Sequence, residues 1–259
     1  MFPIRDDNPQ LSIPWVTYGI VAINVIVWIF LQGMGSEPML SGSICRLGLI
    51  PADLLGTLPA GTRIDFGPQF FCELGGTRTW HTVISSMFMH GGWMHIIGNM
   101  WFLWIFGDNV EDAMGSARFA IFYLLCGVAA AGLQVATNLE SAIPMVGASG
   151  AIGGVMGAYV LLYPRVHVHM LIFLGFYVTT IAVPAVLMLG YWFLVQLLSG
   201  VASQGVSGGG VAFWAHVGGF AAGAVLVLLF RKPDLLRKHP YYGWQRGSPT
   251  RNWRRIDRR

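Results

Sequence analysis

Six long apolar segments make up most of this chain, and they constrain its fold more than any other feature. They are residues 15–31, 83–106, 119–137, 149–163, 181–199 and 211–230. A helix that crosses the hydrocarbon core of a bilayer needs about 20 apolar residues. Only 11% of the residues are charged, whereas soluble domains carry about 25%. We therefore predict an all-α membrane protein with a bundle of six transmembrane helices.

The connecting segments predict an orientation. Residues 33–79 form a long first loop rich in proline and glycine, and residues 107–112 are interpreted as a polar turn between the second and third spans. An even number of spans puts both termini on one side, and ten Lys and Arg among the last 29 residues indicate that this side is cytoplasmic. Residues 1–14 are then a short cytoplasmic N-terminus, residues 15–230 the six-helix domain, and residues 231–259 a basic cytoplasmic tail.

The tail beside a membrane span is more typical of contact with anionic lipid than with nucleic acid, so membrane lipids are the expected partner. The first ten residues lack the Arg-rich pattern of a transit peptide, which favours a bacterial inner membrane. The apolar segment 168–178 is interpreted as a re-entrant or interfacial piece, or as an extension of the fifth span. Cys45 and Cys72 fall in the same outer loop and could form one disulfide, and Cys126 lies within a span.

Polar residues recur near the outer ends of three predicted spans. His95 and Asn99 are four residues apart, so they share a helix face, with His90 further towards the outside. Ser149 opens the fourth span among glycines, and His216 lies about one turn inside the sixth. Single polar residues of this kind commonly hydrogen-bond between helices, but several at one depth indicate a functional site.

A serine attacks a carbonyl group only when a base accepts its proton. Both lysines lie in the tail, no carboxylate falls within a predicted span, and no H-E-x-x-H run is present, so Ser–Lys, aspartyl and zinc mechanisms are disfavoured. The remaining arrangement is a Ser149–His216 dyad that needs no metal or cofactor. Small residues on both helices would allow close packing, and His95, Asn99 and the Ser149 N–H could then face the oxyanion.

Together these segments resemble the signature motifs of the rhomboid family of intramembrane serine proteases. The resemblance rests on Gly147-Ala148-Ser149-Gly150, on His90-x4-His95-x3-Asn99 and on Ala215-His216-Val217-Gly218-Gly219-x3-Gly223. It implies a six-helix core, Ser149 as nucleophile, His216 as base, and an oxyanion and substrate site at His95, Asn99, Gly147 and Ser149. It also implies substrates that are themselves transmembrane proteins, cut in or near their spans. The supporting positions are His90, Gly150, Gly153, Gly219 and Gly223.

The sequence departs from the family pattern at two places. Gly153 stands where some relatives carry a tyrosine that stacks on the base, so Tyr159 or Phe213 is expected to hold His216. The Trp-Arg pair of the first loop has only a shifted counterpart in residues 77–81. Residues 200–210, with Trp192 and Phe193, are the predicted gate for substrate entry, although these aromatic residues could simply face lipid.

Two other classes of function compete with a protease. A transporter or channel could use the same polar residues as a pathway, but the sequence has no internal repeat to support one. A catalytically inactive relative could act as a binding chaperone for membrane proteins, but Ser149 and His216 are both present. The sequence does not indicate an oligomeric state.

Overall fold

The computed structural model describes residues 2–65, 71–75, 79–203, 211–237 and 239–243. Most of these residues are helical. The helices are α1 Trp15–Phe30, α2 Met39–Leu47, α3 Pro51–Leu55, α4 Thr82–Ser85, α5 Trp93–Met114, α6 Ser116–Thr137, α7 Ser149–Leu162, α8 Ala185–Ala202, α9 Phe213–Phe230 and α10 Pro233–Leu236. The strands are β1 Phe2–Asp6, β2 Thr62–Asp65, β3 Phe71–Leu74, β4 His167–Leu174 and β5 Tyr177–Pro184.

The long helices form a bundle around α7. Almost every residue of α7 is buried, because α5, α6, α8 and α9 all pack against it. A helix that is apolar on all sides is stable only when it is enclosed in this way. We refer to the end of the bundle that carries Ser149 as the upper end and to the end that carries Leu162 as the lower end.

Three of the described helices, α6, α8 and α9, are long and apolar enough to cross a membrane. Helices α1 and α7 are apolar but shorter, with 16 and 14 residues. Helix α5 has 22 residues, but it carries a polar upper end and an acidic lower end. The described chain is therefore mostly helical with three candidate spans, and the predicted total of six goes beyond what length and composition establish.

The acidic segment 107–112 is not the polar turn that we predicted. These residues continue α5 to Met114, and Asp108, Glu111 and Asp112 are buried. The Glu111 carboxylate accepts hydrogen bonds from the N–H groups of Val16 and Thr17, at 3.1 and 2.8 Å. Because the first N–H groups of a helix have no partner within the helix, Glu111 caps the start of α1. The second predicted span therefore extends eight residues past residue 106.

The all-α prediction is wrong in one region, where β1, β4 and β5 form a three-stranded antiparallel sheet. Strand β4 pairs with β1, with Phe2 opposite Leu171, and with β5, with Phe173 opposite Val178. The segment 168–178 thus belongs to a hairpin and is neither a re-entrant piece nor part of the fifth span. Many of its residues are β-branched or aromatic, and these favour strands.

This sheet packs against the middle of α5, where the Trp101 indole N–H donates to the carbonyl oxygen of Pro3 at 2.6 Å. Strand β5 continues to Pro184, so α8 begins at Ala185 and not at residue 181 as predicted. The N–H groups of Ala185 and Val186 donate to the carbonyls of Val166 and Pro164, at 2.8 and 3.0 Å. Residues 2–6 are thus held both by β4 and by α5.

The first loop is folded at the upper end. It contains α2, α3 and the β2–β3 hairpin, and a disulfide joins Cys45 to Cys72. The predicted second span is interrupted here, because residues 89–92 are not helical and separate a 3-10 turn at Ser86–Phe88 from α5. Residues 76–78, which include Arg78, lie outside the described residues, as do residues 204–210 and most of the basic tail.

Candidate active site

Ser149 is the first residue of α7 and is half-buried. Gly147, two residues earlier, has φ +127°, a backbone conformation that L side chains rarely adopt. Its N–H donates to the carbonyl oxygen of Ser86 at 2.9 Å. This turn brings the chain sharply into α7 and leaves the first N–H groups of that helix free to bind an anion.

His216 lies in the first turn of α9 and is 9% exposed. Its Nε2 lies 2.8 Å from the Ser149 hydroxyl oxygen. The structure therefore brings together the two residues that the sequence predicts as nucleophile and base, at a hydrogen-bonding distance.

Glycines on α7 and α9 make this distance attainable. A Cβ atom added at Gly219 would lie 2.8 Å from the carbonyl carbon of Gly150, and one at Gly153 would lie 3.1 Å from the His216 carbonyl oxygen. One at Gly223 would lie 2.5 Å from the carbonyl carbon of Gly154. The predicted supporting glycines therefore lie at the contact where the two backbones approach most closely.

His95 and Asn99 project from the first two turns of α5 towards Gly147. A Cβ atom at Gly147 would lie 2.6 Å from His95 Nε2 and 3.5 Å from Asn99 Nδ2. The Gly91 N–H donates to His95 Nδ1 at 3.3 Å, so the neutral ring carries its proton on Nε2. Among the described residues, Asn99 Nδ2 has no hydrogen-bond partner. Two donors are thus directed at the space beside Ser149.

His90 does not lie on the same helix as His95, contrary to our prediction, because it belongs to the non-helical residues before α5. Its backbone is fixed by Gln32, which accepts from the His90 N–H at 2.8 Å and donates to its carbonyl oxygen at 2.7 Å. The His90 ring packs edge-on against His95, with 5.1 Å between centroids. His90 therefore helps to orient His95.

The prediction that Tyr159 holds His216 is wrong, and the role of Phe213 stays a prediction. The Tyr159 hydroxyl lies near the lower end of α7, where it donates to Asp6 at 2.5 Å. Trp192 and Gln196 of α8 contact His216 instead. The Trp192 and His216 ring centroids are 5.7 Å apart, with 36° between planes, and Gln196 Oε1 lies 2.8 Å from His216 Nδ1. In the sequence, this contact is indicated only by a single glutamine in an otherwise apolar span.

A cavity of about 460 Å³ lies above the pair and contains His95, Asn99, Ser149 and His216 in its wall. Apolar side chains form most of the remaining wall, among them Phe102, Met156 and Trp192. Of the two aromatic residues predicted for the gate, Trp192 thus faces the cavity and Phe193 packs on Phe220, with centroids 4.7 Å apart. A mostly apolar cavity with a few convergent polar groups is the usual form of a binding site.

No group of three or more His, Cys, Asp or Glu side chains in the described part of the chain could hold a metal ion. The polar groups at the cavity are a hydroxyl group hydrogen-bonded to an imidazole, with N–H donors beside it. This is the arrangement required for acyl transfer.

Several known proteins are similar to this chain over much of its length. A model of the Rhomboid domain matches residues 77–233. RHOMBOID-like protein 4 of Arabidopsis thaliana is 30% identical over 253 residues, which cover 91% of this chain and 56% of that protein. Rhomboid protease GluP of Bacillus subtilis is 35% identical over 217 residues, which cover 83% and 35%. Rhomboid protein 1, mitochondrial, of Saccharomyces cerevisiae is 27% identical over 150 residues, which cover 56% and 40%.

The chain thus spans 35% to 56% of the length of these relatives. The domain match alone covers more than half of the chain, including α5 to α9 and every residue assigned to the cavity's polar wall. The chain belongs to the rhomboid family, whose members are integral membrane proteins known as intramembrane serine proteases.

Proposed function

We propose that this protein is an intramembrane serine endopeptidase that hydrolyses peptide bonds in or near the spans of other membrane proteins. The observation that carries the proposal is the 2.8 Å contact between Ser149 Oγ and His216 Nε2 at a cavity between helices. Family membership supports it, since rhomboid proteases act on transmembrane proteins and the relative GluP is named a protease.

In the proposed reaction His216 Nε2 accepts the Ser149 proton while Oγ attacks the substrate carbonyl carbon. The negative charge that develops on the carbonyl oxygen is stabilised by His95 Nε2–H, Asn99 Nδ2–H and the Ser149 N–H. His216 then donates its proton to the leaving amine, and a water molecule releases the acyl group from Ser149 by the same steps in reverse order. Gly147 supports this, because any side chain there would block the His95 donor.

The peptide bond of a substrate must be free of its own helix before it can react, because helical backbone groups are paired internally. We propose that the preferred substrates are helices with Gly, Pro or Ala near the cleavage site. The apolar wall formed by Phe102, Met156 and Trp192 suits an apolar neighbouring side chain.

The proposed placement has α1, α5, α6, α7, α8 and α9 as six spans in a lipid bilayer, with both termini on the cytoplasmic side of a bacterial inner membrane. The ten basic residues after residue 230 support this orientation. Membrane lipids would be the partner of the tail. Reporter fusions at residue 259 measure the side: activity of a periplasmic reporter there would contradict the orientation.

The test of function is cleavage of a single-span reporter by the purified protein in liposomes. The variants are Ser149→Ala and His216→Ala, with Ser203→Ala as the control, because the Ser203 hydroxyl donates to the Gly200 carbonyl oxygen on α8 instead. We expect cleavage by the wild type and by Ser203→Ala and none by the other two. Cleavage retained by Ser149→Ala, or no cleavage by the wild type of any Gly- or Pro-containing reporter, would overturn the proposal.

A further inference from the structure

If His216 is the base, as proposed, the second nitrogen of its ring also needs a partner. Nε2 contacts Ser149, and Nδ1 lies 2.8 Å from Oε1 of Gln196. Gln196 lies on α8, outside the three sequence motifs that indicate the site. A base that must accept a proton at Nε2 needs its own proton on Nδ1.

An amide oxygen can only accept a hydrogen bond, so the Gln196 contact favours the form of His216 that carries its proton on Nδ1. The Nε2 lone pair is then left for the serine proton. When His216 becomes positively charged during the reaction, the same oxygen remains its partner. The described structure gives His216 no carboxylate partner; the other titratable side chain that faces it is His95 of α5.

The face of α8 that bears Gln196 supplies a second contact. Trp192 is four residues before Gln196, so the two side chains lie on one side of the helix. The Trp192 ring lies against the His216 ring with centroids 5.7 Å apart. Helix α8 therefore fixes both the plane of the imidazole and the direction of its Nδ1.

We infer that Gln196 is a positioning residue that holds His216 in its base form, in the place that a carboxylate occupies in serine protease triads. It acts through His216 and does not itself touch the substrate. The site is then a dyad whose third partner is a neutral amide on a neighbouring helix.

Gln196→Leu removes the acceptor at similar size, and Gln196→Glu replaces it with a charged one. We expect Gln196→Leu to lower kcat by about 10–10²-fold with little change in KM, as for other residues that orient a reacting group. Gln196→Glu should retain more activity than the leucine variant. Its pH–rate profile should shift to higher pH on the acidic side, because a nearby carboxylate favours the charged imidazole.

Gln134→Leu is the matched control. Gln134 is also a glutamine directed at the start of α9, where its Oε1 accepts from the Ala215 N–H at 3.1 Å. It touches the backbone beside His216 but not the ring. Its loss can affect stability, and it should leave the acidic side of the pH–rate profile where it is in the wild type.

A readout that does not need activity separates this inference from the proposed function. Nitrogen NMR of ¹⁵N-histidine-labelled protein reports which ring nitrogen carries the proton, with His216→Ala used to assign the signal. We expect His216 to be protonated on Nδ1 in the wild type and to shift towards Nε2 in Gln196→Leu. An unchanged tautomer and an unchanged kcat in Gln196→Leu would overturn the inference even if the wild type proves to be a protease.

Discussion

Replacing Gly219 by alanine is a direct test of how the α7–α9 contact sets the site. The added Cβ would lie 2.8 Å from the carbonyl carbon of Gly150, and the carbonyl oxygen of Gly150 is closer still. Ordinary contacts between carbon atoms are about 3.5–4.0 Å, so the helices must separate by about 1 Å. The clashing atoms are backbone and cannot rotate away.

The displacement acts directly on the reacting pair, because Gly150 adjoins Ser149 and Gly219 is one turn from His216. Separation by about 1 Å would lengthen the 2.8 Å contact between Oγ and Nε2 beyond hydrogen-bonding range. A misplacement of this size costs about 10²-fold in rate, and overpacking costs about 1–3 kcal/mol of stability. We therefore expect Gly219→Ala to lose both activity and stability.

The assay is cleavage of a single-span reporter in liposomes, with thermal unfolding in detergent measured on the same preparations. Gly132→Ala on α6 is the matched control, since a Cβ there meets nothing within 4 Å. Gly153→Ala should be intermediate, because its nearest atom lies 3.1 Å away. Wild-type activity and stability in Gly219→Ala, or no difference between Gly219→Ala and Gly132→Ala, would refute the reasoning.

Three further outcomes follow from particular contacts. Asn99→Ala should lower kcat by about 10²–10³-fold, since it removes one oxyanion donor; steady-state cleavage kinetics measure this. Glu111→Ala should lower the stability of the fold by about 2 kcal/mol, because it leaves buried N–H groups of α1 unpaired; thermal unfolding measures it against Glu140→Ala in an exposed loop. Burial lowers the pKa of His239 to about 4. Below about pH 6.5 the unfolded chain therefore binds a proton at His239, whereas the folded chain does not bind it until about pH 4. The free energy of unfolding should fall by up to about 3 kcal/mol between pH 6.5 and 4. His239→Phe should remove that part of the pH dependence.

Each of these has a contrary result. An Asn99→Ala enzyme with unchanged kcat would mean that the amide does not face the oxyanion. Equal unfolding temperatures for the Glu111 and Glu140 variants would show that the cap contributes nothing. Stability that falls equally in the wild type and in His239→Phe below pH 6.5 would assign the effect to other groups.

The motif residues were accessible from the sequence because a membrane restricts what polar residues can do. A serine or histidine among apolar and glycine residues has few possible roles. When polar residues of three predicted spans lie at the same depth in the membrane, a shared functional site is indicated. The sequence accordingly predicted that Ser149, His216, His95 and Asn99 would meet. It could not predict which side chains would support His216, since Gln196 and Trp192 contact it only through the docking of α8.

Two regions were misinterpreted for physical reasons. A run such as residues 168–174 is uniformly apolar apart from His169, so it has no alternation that would separate a strand from a helix. Its partner strand β1 lies more than 160 residues away in sequence. The acidic segment 107–112 was interpreted as a turn because carboxylates are costly in apolar surroundings. The N–H groups at the start of α1 offset that cost, and these lie about 95 residues away.

The attachment of α8 to the sheet gives the helix a fulcrum. Its lower end is tied to Val166 and Pro164, and Gln196 lies 11 residues beyond Ala185. That lever arm is about 16 Å long, so a swing of about 10° carries the Gln196 amide about 3 Å. A substrate helix that entered by displacing α8, where the sequence predicts the gate, would separate Gln196 from His216 in the same movement. Substrate entry and cleavage would then alternate in time, because the proposed protease would be either open to a new substrate or aligned to cut the one that it holds.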